Sequence, residues 1–207
     1  HPACLLHDPG PGHVERPPRL NAVLRALDHD RYAMLDRVEA PPATREQLLR
    51  VHGAAHVLRI LGSEPPEGEW QALDADTVMS AGSTEAALRA AGAVVAAIDA
   101  VLEARTDMAF CAVRPPGHHA TGDQAMGFCL FNNIAVGAAH ALETHGLRRI
   151  AIADFDVHHG NGTQAIFEHE PRVLFVSSHQ SPLYPDSGFE NETGVGNVVN
   201  ATLPPGA

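Results

Sequence analysis

Two histidine doublets and a short acidic run are the residues of this sequence best suited to chemistry. Asp154, Asp156 and His158 alternate with apolar residues, so they would share one face if the strand persisted to His158. Carboxylate oxygens and imidazole nitrogens both bind zinc at about 2.0–2.2 Å, and a zinc site needs at least three protein ligands. The spacing therefore indicates either part of a divalent-metal site or an Asp–His hydrogen-bond network that caps a strand without metal.

The second doublet, His118-His119, lies in a loop constrained by prolines and a glycine. Adjacent histidines can serve as metal ligands or as an acid–base pair, and each needs a partner on its second ring nitrogen to fix the tautomer. Asp154 and Asn161 are the natural partners, and a carboxylate makes an imidazole more basic than an amide does. A solvent-exposed pair without a catalytic role is the alternative.

The elements that must position these residues alternate between strands and helices. Apolar runs predict strands at 108–113, 149–155 and 172–177, with helices at 132–145 and 162–168 between them. This β-α-β alternation predicts an α/β fold with a parallel sheet flanked by helices on both faces. Ligands bind beyond the carboxyl ends of such strands, where both doublets are expected.

The first part of the chain predicts helices and one long loop. Apolar spacing predicts a helix over 20–27, and Thr44 with Gln47 forms a capping-box pattern that opens a helix towards Leu61. Ser83 is the expected N-cap of a further helix. The polar segment 62–82 between them predicts a surface loop.

Composition excludes some classes of function. Among 207 residues, 14 Lys and Arg stand against 25 Asp and Glu, a formal net charge of −11. This balance argues against direct nucleic-acid binding and could favour cationic substrates such as lysine tails or polyamines. Three widely spaced cysteines without a C-x-x-C pair predict a reducing, cytoplasmic setting. Neither a membrane-spanning run nor a secretory signal is visible.

Several motifs together resemble histone deacetylases and their bacterial relatives. The resemblance is strongest to the class II-like branch, which includes histone deacetylase-like amidohydrolases and acetylpolyamine amidohydrolases. It rests on RPPGHHA at 114–120, GFC at 127–129, FNN at 131–133 and DFDVHHGNGTQ at 154–164. The segment HVERP at 13–17 with Arg19 resembles the family's H-P-E-x-P-x-R opening, with Val14 in place of proline. The resemblance implies one catalytic domain over 1–207, with an arginase/deacetylase-like three-layer fold.

The resemblance also implies a zinc-dependent deacetylase that acts on acetyl-lysine or a related amine. Asp156 and His158 match two of the family's zinc ligands. His119 matches the general base that activates water. His118 matches the second histidine of the dyad, with Asp154 as its carboxylate partner.

Further roles follow from the same resemblance. Asn161 stands where a partner of the general base is expected, and Gly127 and Phe128 match one wall of the acyl-lysine channel. Tyr184 falls near the opposite aromatic wall. The family also binds a structural potassium ion, for which the matching residues are Asp154, Asp156, His158 and Ser178 through backbone carbonyls and Ser177 through its side chain.

Two parts of the family's site have no counterpart before Ala207. These are a third zinc ligand, an aspartate in a later G-F-D segment, and an oxyanion donor, a tyrosine in a later G-G-Y segment. We therefore expect a catalytic domain truncated at its C-terminus, and expect the isolated 207 residues to bind zinc weakly and hydrolyse little. The alternative function is a catalytically incomplete relative that binds metal or acyl-lysine without turnover.

Other members of this fold class give a further alternative. Arginase-like ureohydrolases hold two manganese ions and need D-x-H-x-D, whereas Gly160 occupies the last position here, which favours the mononuclear deacetylase. Acetoin-utilisation-type relatives share many of the motifs. The acyl substrate stays open between protein lysine, polyamine and other amines. Related enzymes often pair through long loops, so a homo-oligomer is compatible with the sequence.

Overall fold

Six α-helices and five strands follow one another in a computed structural model that describes all residues, His1–Ala207. The helices are α1 (Pro17–Leu27), α2 (Arg45–Leu49), α3 (Ala54–Gly62), α4 (Ser83–Leu102), α5 (Asn133–Glu143) and α6 (Asn161–Phe167). The strands are β1 (Trp70–Ala72), β2 (Val78–Ser80), β3 (Ile150–Asp154), β4 (Val173–Gln180) and β5 (Val198–Leu203). Two short 3-10 helices lie at Pro2–Leu5 and Asp30–Tyr32. None of the helices combines the length and the apolar character that crossing a membrane requires.

Strands β3, β4 and β5 form a parallel sheet in that order, which confirms the predicted α/β fold class. The register pairs Asp154 with Ser177 and Ser177 with Asn200. Three polar residues therefore lie side by side across the carboxyl half of the sheet. Helix α6 lies between β3 and β4 in the chain, and the longer connection before β3 carries α5.

Helices α5 and α6 cover one face of this sheet. Their shared core consists of eight buried residues, namely Ala135, Ala138, Leu142, Ile152, Phe167, Val173, Phe175 and Val198. Side chains on the opposite face are largely open to solvent, with Leu174 at 42% and Val199 at 48% exposure. Helices were predicted on both faces of the sheet, but the helices of these 207 residues do not cover this second face.

Helices α4 and α5 pack closely because small residues line their contact. A Cβ at Gly137 would lie 2.4 Å from a methyl carbon of Val94 and 2.9 Å from Ile98. Asn132 caps the N-terminus of α5, since its side-chain oxygen accepts a hydrogen bond from the Ala135 N–H at 3.1 Å. The Asn132 amide also donates to the carbonyl of Ala120, so α5 is tied to the loop that carries the first histidine doublet.

The strand predicted at 108–113 is wrong. No strand is present there, and Met108 and Phe110 are 80% and 73% exposed. An apolar run becomes a strand only when a neighbour pairs with its backbone groups, and β3 pairs with β4 alone. Cys111 and Ile152 instead face a shared open groove of about 580 Å³.

The first part of the chain departs from prediction at two helix starts. The Thr44–Gln47 capping box is confirmed, but the helix expected to reach Leu61 is divided into α2 and α3 by a break before Gly53. Ser83 does not cap α4, because Gly82 in a left-handed conformation (φ 85°) takes that position. The Ser83 hydroxyl accepts the backbone N–H of Ser80 at 2.8 Å instead.

The segment 62–82 contains more structure than the predicted loop. Strands β1 and β2 pair in antiparallel register, from Trp70 opposite Ser80 to Ala72 opposite Val78. This small hairpin ends directly before α4. Asp74, Asp76 and Thr77 lie in and beside its turn, and Thr77 hydrogen-bonds to Phe128, which borders the site described next.

Candidate active site

His118 is held against the end of β3. Its Nδ1 lies 2.9 Å from Oδ2 of Asp154, and both side chains are largely buried. A carboxylate at this distance keeps a proton on Nδ1 and orients the ring. The structure thus places Asp154 as the partner of His118, on the last residue of the strand.

His119 has an amide as its partner. Its Nδ1 lies 2.7 Å from Oδ1 of Asn161, the first residue of α6. The amide oxygen accepts the Nδ1–H, which leaves a lone pair on Nε2. Burial, followed by the charge of neighbouring His118, lowers the pKa of His119 to about 4. The ring is therefore neutral near pH 7 and can accept a proton.

The backbone turns sharply after β3. Oδ1 of Asp154 accepts the Asp156 N–H at 3.1 Å, and Oδ1 of Asp156 accepts the His158 N–H at 2.8 Å. Such local side-chain hydrogen bonds compete with strand geometry, and β3 ends at Asp154. The strand therefore does not persist to His158, which was the condition for these three residues to share one face.

The turns nevertheless bring two potential metal ligands together. Oδ1 of Asp156 and Nδ1 of His158 are 2.9 Å apart, and the His158 ring centroid lies 5.8 Å from that of His119. Burial pushes the pKa of Asp156 upward, but hydrogen bonds from the backbone and ring of His158 leave it below its ordinary value. An anionic carboxylate beside an imidazole nitrogen is a donor pair that fits Zn²⁺.

Tyr184 borders the same site, although sequence motifs indicated its position only weakly. Its ring meets that of His119 edge-on at 5.1 Å and lies 6.3 Å from that of His158. Burial, with the nearby charges of Asp76 and Asp74, raises the pKa of Tyr184 to about 12. The phenol is thus protonated at neutral pH.

Gly127 and Phe128 form another edge of the site. Both have positive φ, 56° and 69°, and a Cβ at Gly127 would lie 2.3 Å from Cδ2 of His119. The Phe128 N–H donates to the Thr77 hydroxyl at 3.0 Å, and its ring meets that of His13 edge-on at 5.0 Å. Sequence reasoning did not indicate Thr77, since no local motif reports a contact across 51 residues, and it included His13 only as part of the motif at 13–17.

The residues expected to hold potassium lie close to one another. Ser177 is buried on β4 and pairs in register with Asp154, while Ser178 follows it. The Ser177 hydroxyl lies 2.9 Å from Nδ1 of His179. A role in potassium binding stays a prediction.

A buried ion pair anchors the histidine loop, and sequence reasoning missed it. Nε and one terminal nitrogen of Arg114 each lie 2.5 Å from a carboxylate oxygen of Glu15, and the other terminal nitrogen donates to the Cys4 carbonyl at 2.9 Å. Glu15 belongs to the H-V-E-R-P motif, but the motif does not indicate that Glu15 pairs with Arg114, 99 residues away.

Comparisons with known proteins agree with this geometry. The sequence profile described as "Histone deacetylase domain" matches residues 13–207. A histone deacetylase-like amidohydrolase of Pseudomonas aeruginosa is 41% identical over 98% of this chain and 59% of its own length. A probable deacetylase of Archaeoglobus fulgidus is 41% identical over 100% of this chain and 58% of its own length. The chain thus spans about three fifths of the length of these relatives.

A solved structure and a further relative point the same way. The crystal structure of the HDA15 HD domain superposes with a TM-score of 0.91 and 34% identity, covering 98% of this chain and 60% of that one. The human polyamine deacetylase HDAC10 is 43% identical over 85% of this chain and 27% of its own length. The chain therefore belongs to the histone deacetylase family, whose relatives named here are deacetylases and amidohydrolases.

Proposed function

We propose that this chain carries the catalytic histidines of a zinc-dependent amidohydrolase that removes acetyl groups from lysine side chains or related amines such as polyamines. The observation that carries the proposal is the pair of adjacent histidines with different partners, Asp154 on His118 and Asn161 on His119. Their ring centroids are 4.0 Å apart, beside the Asp156–His158 donor pair. Membership of the histone deacetylase family supports the same reaction.

Asp156 and His158 are the proposed metal ligands. When bound, Zn²⁺ supplies a Lewis acid that polarises the amide carbonyl and acidifies water. The only set of three His, Cys, Asp or Glu residues whose ligand atoms all lie within 4.8 Å of one another is elsewhere in the fold. Since zinc sites use at least three protein ligands, we propose that the third comes from outside these 207 residues.

His119 is the proposed general base. Its Nδ1–H is accepted by Asn161, so Nε2 is free to take a proton from the attacking water. A correctly placed base of this kind contributes about 10²–10⁴ in rate. Asp154 accepts a hydrogen bond from the Nδ1–H of His118 and orients that ring beside His119.

Acidic residues near the site support a cationic or lysine-like substrate. The charges of Asp74 and Asp76 reach Tyr184, which contacts His119 edge-on. The chain as a whole carries a formal net charge of −11. A negative field of this sign attracts amine cations and raises their local concentration. A polyamine deacetylase is among the relatives, so both substrate classes belong in one assay.

The test uses the full-length protein. Hydrolysis of an acetyl-lysine peptide and of an acetylpolyamine is measured before chelation, after chelation and after Zn²⁺ is restored. We expect the zinc-loaded protein to hydrolyse at least one substrate and to lose this activity on chelation. The hydrolysis rate of zinc-loaded His119→Gln should be lower by a factor of about 10²–10⁴. His169→Gln, an exposed histidine change, is the matched control. Hydrolysis that survives His119→Gln, or none of either substrate, would contradict the proposal.

The alternative is a relative that binds metal or acyl-lysine without turnover. It is favoured because the site offers only two proposed metal ligands, Asp156 and His158, and binding of an acetyl-lysine peptide without hydrolysis by the full-length protein would establish it. For the isolated 207 residues we predict weak zinc binding and little hydrolysis; tight stoichiometric zinc with normal turnover would refute this. We further propose a cytoplasmic location, because all three cysteines are free thiols.

A further inference from the structure

A second group of metal-ligating side chains lies where α4 meets the end of α5. Asp99 belongs to α4, His140 to α5, and His145 follows α5. Oδ1 of Asp99 lies 2.6 Å from Nε2 of His140 and 2.7 Å from Nε2 of His145. These three residues are the set whose ligand atoms all lie within 4.8 Å of one another.

The group is separate from the candidate active site. Asn133, at the start of α5, lines the groove beside Asp154, and His140 comes seven residues later. At 1.5 Å per residue, His140 is therefore about 10 Å further along the helix axis. None of its three members contributes to the catalytic chemistry proposed above.

The side chains are shielded but reachable. Relative exposure is 6% for the His140 side chain, 19% for His145 and 32% for Asp99. Partial burial acts to raise the pKa of Asp99, but hydrogen bonds from His145 and His140 lower it below its ordinary value. The carboxylate is thus anionic at neutral pH, with two imidazoles aimed at one of its oxygens.

We propose that Asp99, His140 and His145 form a second divalent-metal site that joins α4 to the end of α5. Two imidazole nitrogens, one carboxylate oxygen and a water in the fourth position make a set that Zn²⁺ accepts. Zinc bonds of about 2.0–2.2 Å in tetrahedral geometry place ligand atoms about 3.3 Å apart. The two nitrogens must therefore move away from Asp99 by roughly 0.6 Å. The partly exposed Asp99 and His145 side chains have room for this movement.

Arg50 makes the proposal specific. A terminal nitrogen of Arg50 donates to Nδ1 of His140 at 3.0 Å, so without metal the His140 proton is on Nε2 and is donated to Asp99. A metal on Nε2 moves that proton to Nδ1, which then donates to the Thr144 hydroxyl at 3.2 Å. Arg50 must then lose its hydrogen bond to His140, while its other terminal nitrogen remains 3.4 Å from the Glu46 carboxylate. The guanidinium therefore competes with the metal.

The experiment uses protein without an affinity tag, in an Asp156→Asn/His158→Gln background that removes the two proposed metal ligands of the active site. Co²⁺ is titrated by visible absorption and Zn²⁺ by equilibrium dialysis, and we expect one bound equivalent of either ion. Adding His145→Gln should weaken binding at least about 10- to 100-fold, the loss typical of perturbed metal sites. The control His169→Gln, an exposed histidine outside the group, should leave binding unchanged.

Two further variants keep the proposal falsifiable. Asp99→Asn should weaken binding as His145→Gln does, and circular dichroism verifies that each variant is folded. Arg50→Gln should tighten binding, because it removes the competing charge and supplies an oxygen that can accept the Nδ1–H of His140. The proposal is overturned if no ion binds, if folded His145→Gln and Asp99→Asn bind like the control, or if Arg50→Gln fails to tighten binding. Hydrolytic activity has no part in these readouts, so the proposed function stands or falls separately.

Discussion

Replacing Glu15 with glutamine probes the ion pair beneath the histidine loop. Glu15 is 0% exposed and Arg114 is 4% exposed, and two nitrogens of the guanidinium meet the two carboxylate oxygens. Glu15→Gln keeps the shape and one acceptor. It also removes the compensating charge and turns an amide N–H towards the Arg114 donors.

The expected cost is large because Arg114 stays buried. Breaking a buried pair by removing one partner costs about 3–5 kcal/mol, and the retained acceptor places Glu15→Gln near the lower end, about 3 kcal/mol. A typical domain has a free energy of unfolding of about 5–15 kcal/mol. The variant should therefore lose a substantial part of its stability. Arg114 directly precedes the loop of His118 and His119, so that loop should loosen with it.

Urea unfolding at pH 7, followed by circular dichroism, measures the loss. The matched control is Arg19→Gln: the Arg19 side chain is 61% exposed and lies 3.6 Å from Glu15, so the change should cost no more than about 1 kcal/mol. In a double-mutant cycle, Glu15→Gln with Arg114→Gln should cost less than the sum of the two single changes. A Glu15→Gln cost below about 1 kcal/mol, or equal to that of the control, would refute the reasoning.

Three further predictions concern the histidines. Asn161→Asp places a negative charge on the Nδ1 side of His119 and should raise the pKa of His119 from about 4. The acid limb of the kcat/KM–pH profile should then move to higher pH, and a limb that moves to lower pH would contradict this. Gly127→Ala adds a Cβ that would lie 2.3 Å from Cδ2 of His119, at a residue whose φ is 56°. It should lower kcat about 10²-fold in steady-state assays of the full-length protein. An unchanged kcat would show that the His119 ring adapts. Burial lowers the pKa of His52 from 6.5 to about 4. Between these pH values the unfolded state binds more protons than the folded state. The free energy of unfolding should therefore fall by up to about 3 kcal/mol as pH drops from about 6.5 to 4. Urea midpoints across that range measure the slope, which should be shallower in His52→Gln; an equal slope would assign the effect to other groups.

Local patterns in the sequence accounted for much of the secondary structure. Periodicity and apolar runs located α1, α5, β3, α6 and β4, each within a few residues of its ends. The capping box at Thr44 and Gln47 forms as predicted because its atoms belong to one helical turn. Parallel pairing followed from the alternation of strands and helices, since such strands need a crossover between them. The need of each ring for a second hydrogen bond indicated Asp154 and Asn161 as partners of the doublet, and the family resemblance implied which histidine each would contact.

Predictions failed where a neighbour decided the outcome. Residues 108–113 are apolar enough for a strand, but no backbone pairs with them. Beyond β3, Asp154 and Asp156 accept backbone N–H groups two residues ahead, and these local bonds turn the chain although the alternation of residues up to His158 is compatible with an extended strand. Periodicity describes which faces are apolar and does not report how side chains and backbone compete for hydrogen bonds.

By itself, the sequence determined the residue types available for chemistry, their order along the chain and the elements that carry them. Only the tertiary structure joined Glu15 to Arg114, turned Tyr184 towards His119 and gathered Asp99, His140 and His145 at one point. These contacts link residues 99, 65, 41 and 46 positions apart. The physical reason is that local preference acts over a few residues, whereas contacts at long separation depend on how helices and strands pack.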